Sequence, residues 1–371
     1  MRVAHVVATF PPYWAGTGNV AYQQSRVLSE RGYDIEVFTA LPPHQEPMEF
    51  PFPVHYLKTW GRLGNAPFTP SLMKHLRGFD LIHLHYPYIF GADLTMAASR
   101  LYHIPVVATY HNDLLGGGWK GLLFKLYNHI NQRLILRDLR RIMATTRDYA
   151  DHCLLGNIAK VPISAVPIAV DPSFLERLEI LGTPLKPNKP YVLFVGAMDN
   201  AHQFKGIPVL LDAMAMLKSD LDLILVGDGP VREEYASYAK TRHLENVHFR
   251  GRVRTENLLE TYTRALVTVL PSTNSTEAFG LVLLESWANK TPVIATNIPG
   301  VRELVSDQHD GYLVPPADPE ALAESIARMV HDPVRAQEMG EAGYRKVCTK
   351  YTWDRVVDQI ESVYHEVLQT A

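Results

Sequence analysis

The chain predicts an α/β protein built from two Rossmann-like, doubly wound domains that face each other across a cleft. Three observations carry that expectation. Short apolar strands alternate with helical patterns, the alternation occurs twice with a proline-rich break between, and 371 residues leave room for two ordinary domains. An apolar content of 47% and a charged content of 20% are those of a globular protein.

In the first half, Arg2 to Thr9 reads as a strand, Asn19 to Arg31 as a helix and Asp34 to Thr39 as a strand. Leu81 to His85 and Val106 to Tyr110 are further short strands, with Ala92 to Leu101 as a helix between them. In the second half, Tyr191 to Val195 is a strand and Gly206 to Leu217 a helix. Leu221 to Val226, Val247 to Phe249, Leu266 to Leu270 and Pro292 to Ala295 continue as strands. No short tandem repeat occurs, which excludes a solenoid. Pro167 to Pro190 contains Pro172, Pro184 and Pro187 and little periodicity, so it is the expected linker. Trp353, Val356, Val357, Ile360, Val363, Tyr364 and Val367 recur at helical spacing, an amphipathic helix that needs a surface to cover. Doubly wound domains bind ligands at the carboxyl ends of their strands, which places the expected active site in the cleft.

Composition narrows the partners. A net charge of −3 offers no global positive field, which argues against nucleic acid. Cys153 and Cys348 lie far apart in no metal-ligand spacing, so a reducing compartment and a cytoplasmic location are expected. No run approaches the roughly 20 apolar residues of a transmembrane helix, and the N-terminus lacks a signal-peptide pattern.

Glu277-Ala278-Phe279-Gly280-Leu281-Val282-Leu283-Leu284-Glu285 is the most informative stretch. It follows an apolar strand and the turn residues Pro271 to Ser275, and Leu281 to Asn289 reads as a helix. Glu277 then sits in the loop, and Gly280 lies where free backbone N–H groups meet a ligand. Glu285 falls among Leu283, Leu284 and Trp287, where a carboxylate needs a partner to offset desolvation. A ligand with several hydroxyls and a diphosphate would use all three features; the plainer alternative is a helix start with one satisfied core glutamate.

Pro11 to Gly18 joins the first strand to the first helix, and its small residues let backbone approach a phosphate. A dinucleotide fingerprint is incomplete there. Ala21 replaces the third glycine, and Thr39-Ala40-Leu41-Pro42 lacks the acidic residue expected after the second strand. A nicotinamide enzyme is disfavoured.

These motifs resemble the retaining glycosyltransferases of the GT-B fold, in the large family 4, over nearly the whole chain. The family opening of two prolines, two residues and two glycines reads Pro11 to Gly16 here, with Ala15 in place of the first glycine, and Arg31-Gly32-Tyr33 follows the helix. The resemblance implies that the Gly16 backbone faces the donor phosphate. It implies that His111, at the end of a strand, lies beside the transferred sugar, the alternative being a structural loop histidine. His83 and His85 share one strand face but lack an acidic third ligand, so they read as structural, and the family implies no metal and no cofactor. In Val195 to Gly206 the family places an Arg after Gly196 and a Lys several residues later, both neutralising the leaving diphosphate. Lys205 matches, but Ala197 holds the Arg position, so Lys205 carries most of the charge or His202 or a nearby Arg substitutes. The loops at Gly229 and at Arg252-Val253 are implied to approach the nucleotide. Glu277 is implied to contact the donor sugar, Ala278 to Leu281 to line sugar or phosphate, and Glu285 to hold ribose hydroxyls.

The resemblance also fixes expected domains: 1–170 for the acceptor, 171–190 as linker, 191–352 for the nucleotide sugar, and helix 353–371 packing back on the first domain. The expected activity is metal-independent transfer of a hexosyl group, with retention, from a UDP- or GDP-sugar to a hydroxyl on a lipid, a growing glycan or a small molecule. His111, Lys205 and Glu277 are the expected catalytic residues. A nucleotide-sugar epimerase or synthase of the same fold, or a non-catalytic sugar-nucleotide binder, is the alternative. Residues 119–147 carry Lys120, Lys125, Arg133, Arg137, Arg140, Arg141 and Arg147 against one acid, Asp138, with Trp119, Phe124 and Tyr127 interleaved. That is either a basic amphipathic helix for an anionic bilayer or a helix packed on its own sheet.

Overall fold

The structure, a computed structural model, describes residues 1–13, 16–41, 46–63, 66–113, 127, 133–158, 160–181, 189–217 and 220–370. The chain divides into two compact units, Met1–Ile168 with Trp353–Ala371, and Ala169–Thr352.

The first unit runs β1 (Arg2–Val6), α1 (Gly16–Glu30), β2 (Asp34–Ala40), β3 (Val54–Leu57), a small hairpin of β4 (Gly61–Leu63) and β5 (Ala66–Phe68), α2 (Leu72–His75), β6 (Leu81–Tyr86), α3 (Gly91–Tyr102), β7 (Val106–Tyr110), α4 (Arg133–Asp138), β8 (Arg141–Ala144), α5 (Arg147–His152), α6 (Leu154–Ile158) and β9 (Ile163–Ala165). Seven strands form a parallel sheet in the order β3-β2-β1-β6-β7-β8-β9. β6 and β7 are buried along their whole length, as expected for parallel strands covered on both faces.

The second unit runs α7 (Pro172–Leu181), β10 (Tyr191–Val195), a 3₁₀ helix (Asn200–Lys205), α8 (Ile207–Met216), β11 (Asp222–Val226), α9 (Arg232–Thr241), β12 (Val247–Gly251), α10 (Thr255–Arg264), β13 (Val267–Leu270), α11 (Leu281–Ala288), β14 (Val293–Thr296), β15 (Gly311–Val314), α12 (Pro319–His331) and α13 (Pro333–Lys350). Its six strands are parallel in the order β12-β11-β10-β13-β14-β15. Counted within each unit, both sheets begin 3-2-1-4-5-6, the Rossmann order, which reverses direction beside the first strand. That switch point lies between β1 and β6 in the first unit and between β10 and β13 in the second.

The last helix, α14 (Trp353–Gln369), belongs to the first unit. Trp353, Val356, Val357, Ile360, Val363, Tyr364 and Val367 are buried, each worth roughly 1.5–3 kcal/mol for its apolar area. Arg31 fixes the helix by donating to Asp358 at 2.8 Å and Glu361 at 2.7 Å.

Two expectations need correction. The stretch 171–190 is not linker throughout, because 172–181 is helical. Asp171 accepts from the Ser173 amide at 3.0 Å and its hydroxyl at 2.7 Å, and Pro172 stands where a helix start tolerates a missing N–H. Residues 182–188 lie outside the described residues. The stretch 119–147 is not one helix either. Residues 119–126 and 128–132 lie outside the described residues, but 133–138 is helical, Arg141–Ala144 is the largely buried strand β8 between β7 and β9, and Arg147 opens α5. Its cations also meet acids from outside the stretch: Arg141 pairs with Glu366 and Arg147 with Asp151 at 3.0 Å. No helix among the described residues is long and apolar enough to cross a membrane.

Candidate active site

In the second unit the loops leaving β10 and β13 meet at the switch point, and glycines set how closely. The Gly196 amide donates to Val226 O at 2.9 Å, and a Cβ at Gly196 would lie 2.9 Å from Lys205 Cδ. A side chain there would displace the Lys205 stem. Asp199 caps the 3₁₀ helix, accepting from the Ala201 amide at 2.8 Å and the His202 amide at 3.1 Å, and His202 Nδ1 lies 2.7 Å from the same oxygen. Gly206 ends that helix at φ 70°, and its Cβ would come within 2.0 Å of Pro271 O. Thr273 closes the junction, its amide donating to Phe204 O at 2.7 Å.

This bracing brings Lys205 onto Glu277. Lys205 Nζ donates to Glu277 Oε2 at 2.8 Å, and Ser272 Oγ donates to the same oxygen at 3.2 Å. The two charged side chains are 14% and 13% exposed, so the pair is shielded yet reachable. Glu277 is set by an Asx turn in which Asn274 Oδ1 accepts from the Thr276 amide at 3.0 Å. Ala278 and Phe279 turn inward, and Gly280 adopts φ 87° to start α11. No side chain caps that end of α11, which leaves its first amides and the positive end of its dipole for an anion.

Glu285 lies one turn further on, half-buried. Its Oε2 accepts from Tyr262 Oη at 2.7 Å. Burial raises its pKa above the ordinary carboxylate value, as does Asp171, against the opposing pull of the Tyr262 hydrogen bond and Lys205. The loops after β11 and β12 are stitched to the same centre. A Cβ at Gly227 would lie 1.9 Å from Gly196 O, one at Gly229 would lie 2.1 Å from Met198 O, and the Gly227 amide donates to Gly251 O at 2.9 Å. Arg252 is exposed and Val253 half-exposed just beyond.

In the first unit, Gly16 is exposed as the first residue of α1, with open space where its Cβ would be, whereas Gly18 packs on backbone, 2.7 Å separating its would-be Cβ from Thr9 O. His111 follows β7 and is 8% exposed. Its Nε2 lies 3.1 Å from His85 Nδ1, and His85 Nε2 lies 3.1 Å from His5 Nδ1. Burial holds His111 down to about 4 and His5 to about 3, so both are neutral at pH 7. His5, His83 and His85 offer ring nitrogens within 4.8 Å of one another, a grouping a cation could enter, but each ring is already engaged by protein partners.

The structure therefore gathers Gly196, Lys205, Glu277, Gly280 and Glu285 in one unit and sets Gly16 and His111 at the carboxyl end of the other sheet. Sequence reasoning missed Ser272, Tyr262 and His5. Only the turn position of Ser272 gave any signal, since the others meet their partners through tertiary register.

Two doubly wound parallel units, the second holding a shielded ammonium–carboxylate pair beside a bare helix start, form an arrangement suited to a phosphate-bearing ligand. Residues 14–174 match Glycosyltransferase Family 4 and residues 179–346 match Glycosyl transferases group 1, and the chain belongs to this family. It is 30% identical to the D-rhamnosyltransferase WbpZ of Pseudomonas aeruginosa, over 94% of this chain and 92% of that one. It is 27% identical to the O-antigen chain mannosyltransferase C of Escherichia coli over all of both chains. It is 28% identical to the phosphatidyl-myo-inositol mannosyltransferase of Mycobacterium leprae, over 95% and 93%. Among solved structures, sucrose-phosphate synthase from Thermosynechococcus elongatus superposes with a TM-score of 0.81 over all of both chains at 22% identity. HepE of Anabaena, in complex with UDP and glucose, superposes with a TM-score of 0.74 over 98% of this chain and 99% of that one at 18% identity.

Proposed function

We propose that this glycosyltransferase moves a hexosyl group, with retention and without a metal, from a UDP- or GDP-sugar to a hydroxyl on a glycan or lipid acceptor. The observation that carries the reading is the Lys205–Glu277 pair, 2.8 Å apart at the switch point and beside the uncapped start of α11. Negative charge grows on the departing diphosphate, and the Lys205 ammonium with the α11 amides supplies preorganised positive charge for it. Glu277 accepts from a hydroxyl of the sugar, and Glu285, whose Oε1 has no partner among the described residues, accepts from the ribose. Loops at Gly196, Gly229 and Arg252-Val253 are assigned to the nucleotide, the Gly16 backbone to phosphate, and His111 to a sugar hydroxyl. In a same-face displacement the C1–O bond to phosphate breaks, the acceptor oxygen bonds C1, and the acceptor proton passes to the leaving phosphate. The relatives named for mannose and rhamnose transfer support a hexose or deoxyhexose, and HepE's complex supports a nucleoside diphosphate in this fold. Peripheral contact with an anionic bilayer on the cytoplasmic side, through the basic residues of 119–140 that precede β8, is part of the proposal and is tested by co-sedimentation with liposomes of anionic lipid at low salt.

The experiment is a panel of UDP- and GDP-sugars with hydroxyl acceptors, read by NMR of the product anomer in the presence of a chelator. An α-glycoside from an α-linked donor, formed at the same rate with chelator, is the expected outcome. An altered sugar nucleotide without glycoside would instead indicate the epimerase chemistry, and an inverted anomer would end the retaining assignment.

A further inference from the structure

The histidines of the first unit belong to one unbroken chain. Thr109 Oγ1 lies 2.7 Å from His83 Nε2, and His83 Nδ1 lies 2.6 Å from Tyr364 Oη. Tyr364 Oη lies 3.4 Å from His5 Nε2, His5 Nδ1 lies 3.1 Å from His85 Nε2, and His85 Nδ1 lies 3.1 Å from His111 Nε2. All six side chains are buried. Burial pushes all four imidazoles well below their ordinary value, so they are neutral near pH 7.

A neutral imidazole has one N–H and one lone pair, and a phenol has one O–H. Each interior histidine must therefore donate on one side and accept on the other, and the fully buried Tyr364 hydroxyl keeps its proton paired only by donating to one of its two neighbours, so all five bonds point the same way. Two arrangements satisfy this, and they leave opposite tautomers at His111.

The distances choose between them. N–H donors sit about 2.7–3.2 Å from their acceptors and O–H donors about 2.5–3.0 Å. If the chain ran from Thr109 towards His111, His83 Nδ1–H would donate over 2.6 Å and the Tyr364 hydroxyl over 3.4 Å, both outside their ranges. Run from His111 towards Thr109, the Tyr364 hydroxyl donates over 2.6 Å and His83 Nε2–H over 2.7 Å, both inside. Only the His5–Tyr364 link is then long. We propose that Thr109, His83, Tyr364, His5 and His85 are positioning residues that lock His111 with its proton on Nε2 and a bare lone pair on Nδ1. That nitrogen has no partner among the described residues, so His111 meets a sugar hydroxyl as an acceptor; this consequence, though not the lock itself, rests on the assignment of His111 to the sugar.

The test is long-range ¹H–¹⁵N correlation of histidine-labelled full-length protein at neutral pH, with kinetics on the same samples. The expected wild-type spectrum has His111 Nε2 protonated and Nδ1 bare. Thr109→Val deprives His83 Nε2–H of its acceptor, so the chain reverses and the proton appears on His111 Nδ1; Thr109→Ser restores the original tautomer. Tyr364→Phe keeps the ring but cuts the chain, and should give a mixture. With Thr109→Val, kcat should fall roughly ten- to a hundredfold, the scale of losing a ring-orienting hydrogen bond, while the donor KM changes little. A wild-type proton on Nδ1, a doubly protonated His111, or a tautomer unmoved in both Thr109→Val and Tyr364→Phe would overturn the lock. Inversion without any change in transfer would uphold the lock and remove His111 from the proposed site.

Discussion

Replacing Lys205 by Met while Glu277 is kept or changed to Gln separates what the pair does for the fold from what it does for the reaction. At 2.8 Å the charges attract by about 6 kcal/mol at an effective dielectric constant of about 20. Desolvating two side chains that are 14% and 13% exposed cancels much of that gain, so the intact pair adds little net stability. Breaking it is different. Lys205→Met leaves Glu277 shielded with only the Ser272 hydroxyl at 3.2 Å, and a stranded buried charge costs about 3–5 kcal/mol, here trimmed to about 2–4 by that hydroxyl. Glu277→Gln strands the Lys205 ammonium in turn but keeps an amide oxygen for it, and should cost about 1–3 kcal/mol, the scale of a hydrogen bond to a charged group. With both changes no charge is stranded, and stability should return to within about 1 kcal/mol of wild type, giving a coupling energy of at least about 2 kcal/mol.

Urea unfolding followed by circular dichroism measures the stability cycle, and transfer kinetics measure the other half. Turnover should fall by roughly 10²–10³ in Lys205→Met, the loss typical of one oxyanion-stabilising donor, and should not recover in the double variant. The reasoning fails if the two substitutions are additive in stability, since the pair would then be solvated, or if the double variant regains turnover, since Lys205 would then be only a counter-ion for Glu277.

Three further outcomes follow from the same geometry. Ala197→Arg, placing a second cation beside Gly196, should lower the donor Kd by about tenfold, or about 1.4 kcal/mol, in isothermal titration; an unchanged Kd would mean the position does not face the diphosphate. Burial raises the Glu285 pKa, so the folded state holds a proton that the unfolded chain has released. That contribution is complete below the ordinary carboxylate value and is lost as pH rises through the raised one, so the Tm of Glu285→Gln should gain on wild type from acid to neutral pH; a constant difference would contradict it. His111, held to about 4 against an ordinary 6.5, contributes stability present above 6.5 and lost as pH falls towards 4, about 3 kcal/mol in all. His111→Gln should therefore flatten the stability slope across that interval by about one proton, measured by urea unfolding at several pH values.

The sheets and the second-unit site were legible because their signals are local. Strands such as Val192-Leu193-Phe194 and Val267-Thr268-Val269 are apolar because both faces are covered, and Glu277 to Glu285 spans one loop and one helix, so its spacing survives in one dimension. The correction at Arg141–Ala144 shows the opposite case. A four-residue strand between helices is too short to show a period, and the acids that balance Arg141 and Arg147, Glu366 and Asp151, lie outside the 119–147 stretch. The histidine chain was half legible. His83 and His85 share a face by alternation, but His5 reaches them through the register that pairs it with His83 on the neighbouring strand, and Tyr364 is contributed by α14, 281 residues from His83.

The departure at Ala197 gains meaning from what surrounds it. The loops around it are drawn together until backbone meets backbone, Gly206 against Pro271 O and Gly227 against Gly196 O. His202 is already committed through Nδ1 to Asp199, and Arg232 donates to Phe249 O at 3.2 Å. The ammonium of Lys205 is thus the positive side chain braced onto Glu277, and under the proposed function a diphosphate entering the site would compete with that carboxylate for it. Under that reading donor binding is linked to the fate of Glu277: with Lys205 turned to phosphate, the released carboxylate would be free to accept from a sugar hydroxyl, and one exchange would serve both the leaving group and the group to be transferred. Under the same reading a second cation at position 197 would relieve that exchange, and the Lys205–Glu277 pair is what would make the two halves of the donor depend on each other.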